Sequence, residues 1–240
     1  MKVLLIIVAR KGSKGLPSKC MLKIADIPIV EHVISWTKSL KKDNIDITTA
    51  VSTDIVELKE ICQKHNVIHI NRPQKLAEDS VRIEEVIYHV CETLGGKWDY
   101  LCLLYGNIPI RYSELIHGPL DFLENNSTFD AVLSFQAVEK FHPAWMVEFS
   151  EDKLPKWIEK GYRRQELVPY MIHDGHTCIT RYDYFIPFWR EKDIKKTGQM
   201  YESFGKTIKP WINNKLVIDI DTERDYYLAK AILEAKTDDK

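Results

Sequence analysis

The chain has 240 residues, 45% of them hydrophobic, and a formal net charge of −1. That is enough apolar material for one large core with at most a small insertion, and it excludes a disordered chain. The near-zero charge excludes a global field for nucleic acid or an anionic membrane surface, and no apolar run is long enough to span a bilayer.

The opening run Val3-Leu4-Leu5-Ile6-Ile7-Val8-Ala9 is short and rich in β-branched residues, as a central parallel strand covered on both faces requires. It is too short for a membrane span, and no small-residue cleavage site follows it, so a strand is expected rather than a secretion signal. Arg10-Lys11-Gly12-Ser13-Lys14-Gly15-Leu16-Pro17-Ser18-Lys19 comes next. Its glycines and proline forbid helix and leave backbone N–H groups free among four cations. A loop of this kind at the carboxyl end of a buried strand suits an anionic ligand, a polyphosphate above all. It matches neither the Walker A pattern nor Gly-x-Gly-x-x-Gly, and an ordinary basic surface loop is the competing reading.

Apolar spacing predicts a helix over residues 29–36, with Pro28 in its first turn and His32 as a packing or surface residue. A strand at 45–52 and a helix at 56–65 follow, and this βαβα order points to a parallel α/β sheet. The turn Ser52-Thr53-Asp54 between them reads as a cap on the second helix. A strand at 67–71, a helix at 83–93 and strands at 100–105 and 130–138 continue the pattern. From 139 to 180 the texture changes to Pro143, Pro155, Pro169, Trp145, Trp157 and many charges, which reads as a β-rich excursion. Asp174-Gly175 is a strong turn signal. The flanking His173 and His176 have a spacing that a metal could use, but no third ligand lies nearby in sequence.

Residues 216–220 read as the last strand, and 226–235 as a closing helix. Asp219 and Asp221, two apart on an extended segment, point to one side. Beside a triphosphate they can hold Mg²⁺ through hard oxygen ligands. Helix capping by Asp221 or Thr222 is the alternative, but it leaves Asp219 unexplained. The five cysteines, Cys20, Cys62, Cys91, Cys102 and Cys178, form no Cys-x-x-Cys pair, so reduced thiols and a cytoplasmic protein are expected.

Three stretches together resemble one family. The opening loop is similar to Ala-Arg-x-Gly-Ser-Lys-Gly-x-Pro-x-Lys-Asn, with Cys20 in place of the final Asn. Arg72, Pro73, Leu76, Ala77 and Asp79 match Arg-Pro-x-x-Leu-Ala-x-Asp, and residues 219–225 match Asp-Ile-Asp-Thr-x-x-Asp. These patterns belong to the nonulosonate cytidylyltransferases, the CMP-sialic acid synthetases and their CMP-legionaminate and CMP-pseudaminate relatives. Val51-Ser52-Thr53-Asp54 also resembles a turn that lies near the nucleotide in this family, the alternative to its reading as a cap. Two further stretches resemble the family with changes. Pro109 and Arg111 match Leu-Gln-x-Thr-Ser-Pro-Leu-Arg, but Tyr105, Asn107 and Ile108 replace its Gln and Thr-Ser. Arg163-Arg164-Gln165-Glu166-Leu167 resembles Arg-x-Gln-Asp/Glu-Leu, and Asp174-Gly175-His176 stands near the usual Asn-Gly-Ala.

The resemblance implies a Rossmann-like mixed, mainly parallel sheet with helices on both faces. Residues 1–138 and 181–240 would form the nucleotide-binding domain, and 139–180 an inserted dimerisation arm in a homodimer. It implies Mg²⁺-dependent transfer of CMP from CTP to the anomeric hydroxyl of a nine-carbon 2-keto sugar acid, with release of pyrophosphate. Arg10, Gly12, Ser13, Lys14, Lys19, Arg72 and Ser80 would bind the nucleotide, and Arg10, Lys14, Lys19 and Asp221 would serve catalysis. Asp219 and Asp221 would hold the metal. Tyr105, Asn107, Arg111, Arg164 and Gln165 would face the sugar acid, with Arg111 also open to pairing with Glu114 and Arg163-Arg164 to being a solvated pair. No nucleic-acid or membrane partner is implied. The alternatives are a nucleotidyltransferase for another acid sugar, such as an octulosonic acid, and a non-catalytic nucleotide sensor on the same fold.

Overall fold

The computed structural model describes residues 1–12, 15–191 and 201–238. Strand β1 (Lys2–Ala9) is followed by a small two-stranded unit, β2 (Lys23–Ile24) and β3 (Ile27–Pro28), and helix α1 (Ile29–Trp36). Then come β4 (Asp46–Thr53), α2 (Leu58–His65), β5 (Ile68–Asn71), α3 (Ile83–Leu94), β6 (Tyr100–Tyr105), α4 (Glu114–Asn125) and β7 (Ala131–Ala137). The hairpin β8 (Val147–Phe149) and β9 (Pro155–Trp157) precedes β10 (Met171–Arg181), α5 (Tyr182–Glu191), β11 (Ile208–Ile212) and α6 (Glu223–Asp238).

Seven strands form one sheet in the order β11-β7-β10-β6-β1-β4-β5. All neighbours are parallel except β10, which runs antiparallel to both β6 and β7. This is the mixed, mainly parallel sheet that the family resemblance implies; the element order by itself points to a parallel one. The unbroken apolar run of β1 has a direct cause. Leu5, Ile7 and Ala9 feed one core with α1, α2 and α4, while Leu4, Ile6 and Val8 feed a second with α3 and α5. A strand buried on both faces has no polar side to show. All five cysteines are free and buried. Among the described residues no helix is long and apolar enough to cross a membrane.

Three expectations need correction. The excursion ends at residue 170 rather than 180, because β10 is an interior strand of the main sheet. Asp174-Gly175 makes no hairpin turn. Gly175, at φ +72, sits in a bulge of β10 where the register to β7 shifts between His173 and Cys178. Residues 216–220 form no strand. The last strand is β11, an edge strand that tolerates Pro210 because one of its sides makes no ladder. Ile218 and Ile220 are buried instead in a third cluster with Ile24, Ile29, Ile110 and Ala229 of α6. The segment is therefore apolar because it packs across the strand ends.

Two helices without a clear sequence signal, α4 and α5, also appear, each with a proline inside it. In α4, Gly118 and Pro119 break the helical pattern. Gly118 is required by packing, since a Cβ there would meet the Trp211 ring at 2.9 Å.

Candidate active site

Because β1, β4 and β6 are parallel, their carboxyl ends lie together, with Ala9 beside Thr53 and Val8 beside Tyr105. The loops after them converge at that edge, where an α/β sheet places its ligand.

The opening loop is tied down on both sides. Lys11 N donates to Asp54 Oδ1 at 2.8 Å, and Arg10 donates to Ala77 O at 3.1 Å and Asp79 Oδ1 at 2.6 Å. Arg10 thus joins the first sequence motif to the second. At the loop's far end Lys19 Nζ forms an ion pair with Asp221. A Cβ on Gly15 would lie 2.6 Å from the Asp221 carbonyl oxygen, so only glycine allows this approach of two backbones. Nothing lies within 4 Å of a Cβ built on Gly12, so the loop is open at that position. Ser13 and Lys14 lie outside the described residues. Cys20 is buried beneath the loop, and burial pushes its thiol up to about 11, so it stays protonated at neutral pH.

Ser52, Thr53 and Asp54 do not cap α2, which begins at Leu58 without a side-chain cap. They fasten the site instead. Asp54 accepts from Lys11 N, Thr53 Oγ1 accepts from Ile55 N at 3.0 Å, and Ser52 holds Arg72. Arg72 is buried, with Nη2 2.6 Å from Ser52 O and Nε 3.2 Å from Ser52 Oγ. Burial lowers its guanidinium to about 10, which leaves it charged at neutral pH. Ser80 lies exposed in the turn before α3.

The tail supplies the carboxylates. Asn107, buried just past β6, donates from Nδ2 to the Asp219 carboxylate and to Ile220 O at 3.1 Å, while Ile220 N donates back to Asn107 O at 3.1 Å. Asp219 is open to solvent yet crowded by protein atoms. That crowding, followed by the Asp221 charge, raises its carboxyl to about 6. The cap of α6 is made by Thr222 and Asp225, which bond reciprocally: Thr222 N to Asp225 Oδ2 at 2.9 Å, Asp225 N to Thr222 Oγ1 at 3.4 Å. The Asp221 carboxylate is left to Lys19.

Two carboxylates beside an ammonium at the carboxyl ends of the parallel strands suit a metal–phosphate ligand. Among the described residues there is no group of three or more His, Cys, Asp and Glu placed to hold a metal, so oxygens of a ligand and water would have to complete any coordination shell.

Other expected site residues are placed differently. Arg111 is buried and donates to the carbonyls of Ile108 (2.9 Å), His176 (2.6 Å) and Tyr105 (2.8 Å), so its fork braces the loop from beneath. Nor does it pair with Glu114, whose partner is Lys215 at 3.2 Å. His176 is fully buried. Tyr112 N donates to its Nε2 at 2.9 Å, and burial together with Arg111 drives its pKa down to about 2. The ring is therefore neutral and carries its proton on Nδ1, facing Thr177 Oγ1 at 3.0 Å. His173 Nδ1 donates to Ser134 O at 2.8 Å, so the two histidines build the β10 bulge and have separate partners.

Tyr105 ends β6 half-buried, its phenol pushed up by burial. Arg164 and Gln165 lie exposed on the arm, where Arg164 pairs with Glu139 at 3.6 Å. Sequence reasoning missed the links of Asp54, Asp79 and Asn107, all of which reach between motifs. For Asp79 a signal was present, as an acidic residue inside a matched motif.

Residues 4–173 match the family model described as "Cytidylyltransferase". The chain is 29% identical over 230 residues to an N-acylneuraminate cytidylyltransferase of Streptococcus agalactiae serotype V, covering 94% of this chain and 52% of the relative. It spans about half the length of the first curated relatives it matches. It is 24% identical over 242 residues to a pseudaminic acid cytidylyltransferase of Campylobacter jejuni subsp. jejuni serotype O:2, covering 97% of this chain and 96% of that one. In fold it is similar to a solved CMP:2-keto-3-deoxy-manno-octonic acid synthetase complexed with CTP, with a TM-score of 0.72, 17% identity and coverage of 98% and 100%.

Proposed function

Since the chain belongs to the cytidylyltransferase family, we propose that it transfers CMP from CTP to the anomeric hydroxyl of a nine-carbon 2-keto sugar acid and releases pyrophosphate. One observation carries this reading. The cationic opening loop and the tail carboxylates meet at the carboxyl edge of the sheet, through the Lys19–Asp221 ion pair and the seating of Gly15 on the Asp221 backbone. The named relatives that act on N-acylneuraminate and pseudaminic acid support the choice of acceptor.

The amides of the opening loop and the Lys19 ammonium hold the triphosphate. Arg10, fixed by Asp79 and Ala77, sets the loop beside Arg72 and Ser80, where the nucleoside lies. Ser13 and Lys14 belong to the same loop and are assigned to the phosphates by the motif alone. The acceptor hydroxyl attacks the α-phosphorus, its proton departs, and the bond from that phosphorus to the pyrophosphate oxygen breaks. The chain's part is in-line positioning and positive charge where negative charge builds.

Asp219 and Asp221 would hold Mg²⁺. The site fits a hard dication, since it has two carboxylates two residues apart, and Asp219 is raised to about 6 by crowding from protein atoms first and by the Asp221 charge second. When bound, the ion supplies neutralisation of triphosphate charge. The arm offers a surface for a homodimer, because Phe149 and Trp157 are exposed on a hairpin too small to be stable alone and Tyr162 is exposed just after it. Arg164 and Gln165, on that arm, would reach the sugar acid from the partner's side.

The test is pyrophosphate release with CTP, ATP, GTP and UTP over a panel of sialic, legionaminic, pseudaminic and octulosonic acids. Release with CTP and a nine-carbon acid is expected. Release confined to an octulosonic acid would move the assignment to that acceptor, and CTP binding without turnover on any acid would make the protein a sensor.

A further inference from the structure

Asn107 stands where the family pattern places a threonine that faces the sugar acid, and its side chain is turned to another task. Its amide is buried and used twice, toward the Asp219 carboxylate and toward Ile220 O at 3.1 Å. Its backbone oxygen receives Ile220 N at 3.1 Å. These three bonds cross more than a hundred positions of sequence and fall on a segment that has no strand ladder of its own. A carboxylate on a paired strand is placed by the sheet, whereas Asp219 sits on coil. The backbone bond to Asn107 O and the burial of Ile218 and Ile220 place the segment, and the Asn107 amide is the side chain that meets the carboxylate itself.

The anchor is itself rigid. The turn carrying Asn107 is clamped by Arg111 through Tyr105 O and Ile108 O, and by Gly106 N to Val8 O at 2.9 Å. Ile108 is fully buried and packs against Gly175 of the bulge, where a Cβ would come within 2.8 Å of its Cδ1.

We infer that Asn107 is a positioning residue for Asp219, the partner that orients a metal-ligating carboxylate, and is no contact of the acceptor sugar. A ligand-orienting group of this kind is worth roughly 10- to 100-fold in metal affinity or activity. The inference rests on the proposed metal role of Asp219, so its test carries a separate control for that role.

Mn²⁺ is titrated into the CTP-bound protein and followed by electron paramagnetic resonance, for wild type, Asp219→Asn, Asn107→Leu and Asn107→Thr. Melting temperatures confirm that each variant is folded. Asn107→Leu is expected to bind Mn²⁺ at least about tenfold more weakly, with the KM for the sugar acid unchanged and kcat reduced. Asn107→Thr keeps one donor and is expected to recover most of the Mn²⁺ affinity. If Asp219→Asn loses Mn²⁺ affinity while Asn107→Leu keeps it, or if Asn107→Leu raises only the acceptor KM, the inference is overturned and the metal reading stands. If Asp219→Asn itself binds Mn²⁺ like wild type, the metal reading fails.

Discussion

In the cleft, Arg10, Lys19, Arg72, Asn107 and Arg111 all have partners within the chain, and most of those partners are far away in sequence. On the arm, Trp157 is 62% exposed and Tyr162 91%, and the ion pairs of Arg163 and Arg164 lie among exposed side chains on a surface turn. The cleft's polar side chains are held by bonds within the chain, the kind of preorganisation that electrostatic catalysis of phosphoryl transfer demands. The arm carries apolar surface that this chain does not cover, as a segment completed by a second copy would. On the proposed reading, the chemistry belongs to the internally bonded cleft and self-association to the arm.

This contrast can be broken or sharpened by experiment. The largest effect is expected at the Lys19–Asp221 pair. Lys19→Ala and Asp221→Asn should each lower kcat by about 100- to 1000-fold, and Asp221→Asn should do so with little change in melting temperature, because Asp221 is solvent-exposed. A folded and fully active Asp221→Asn protein would refute the assignment. Next comes Arg111→Met, which strands three buried carbonyls. Urea unfolding should show a loss of about 3 kcal/mol, the bare cost of the unpaired acceptors being partly offset by removing a buried charge. A stability loss below the error of the measurement would mean that the turn is braced by other contacts.

Trp157→Lys should leave the cleft intact and weaken self-association. At a hot-spot value of about 2 kcal/mol, the dimer dissociation constant from sedimentation would rise roughly 30-fold. An unchanged constant would take the arm out of the interface.

The smallest effect concerns Asp219. Its carboxyl is raised in the folded chain, from the ordinary 3.8 to about 6, so the folded state holds the proton more tightly than the unfolded state. The resulting stability is fully present below pH 3.8 and is lost as pH rises through about 6. In chelator-treated protein, Asp219→Asn should therefore melt higher than wild type at pH 8, with the gap closing on acidification. A gap independent of pH would show that the carboxylate carries no such penalty.

Much of the fold can be read along the chain. The buried strand β1, helix α1 and strand β6 follow from period and composition, because local sequence sets which faces are apolar. Residues 216–220 misled for the same reason: an apolar run says that a segment is buried but not whether a ladder buries it. β11 was hidden because an edge strand of five residues with a proline shows no clear alternation. Asp174-Gly175 promised a turn and formed a bulge, since both structures want the same left-handed glycine.

By itself the sequence determined the kind of chemistry on offer: a cationic glycine loop after a central strand, a carboxylate pair near the end, and a sheet to bring parallel strand ends together. Only the tertiary structure decided which polar groups act and which support. It turned Arg111 and His176 inward to hold backbone, gave the α6 cap to Thr222 and Asp225, and bound Asn107 to Asp219. The physical reason is that each of those choices depends on a partner dozens to a hundred or more positions away or on competition between neighbouring groups for one donor. A residue's type states what bonds it can form, but only the packed chain states which partner reaches it first.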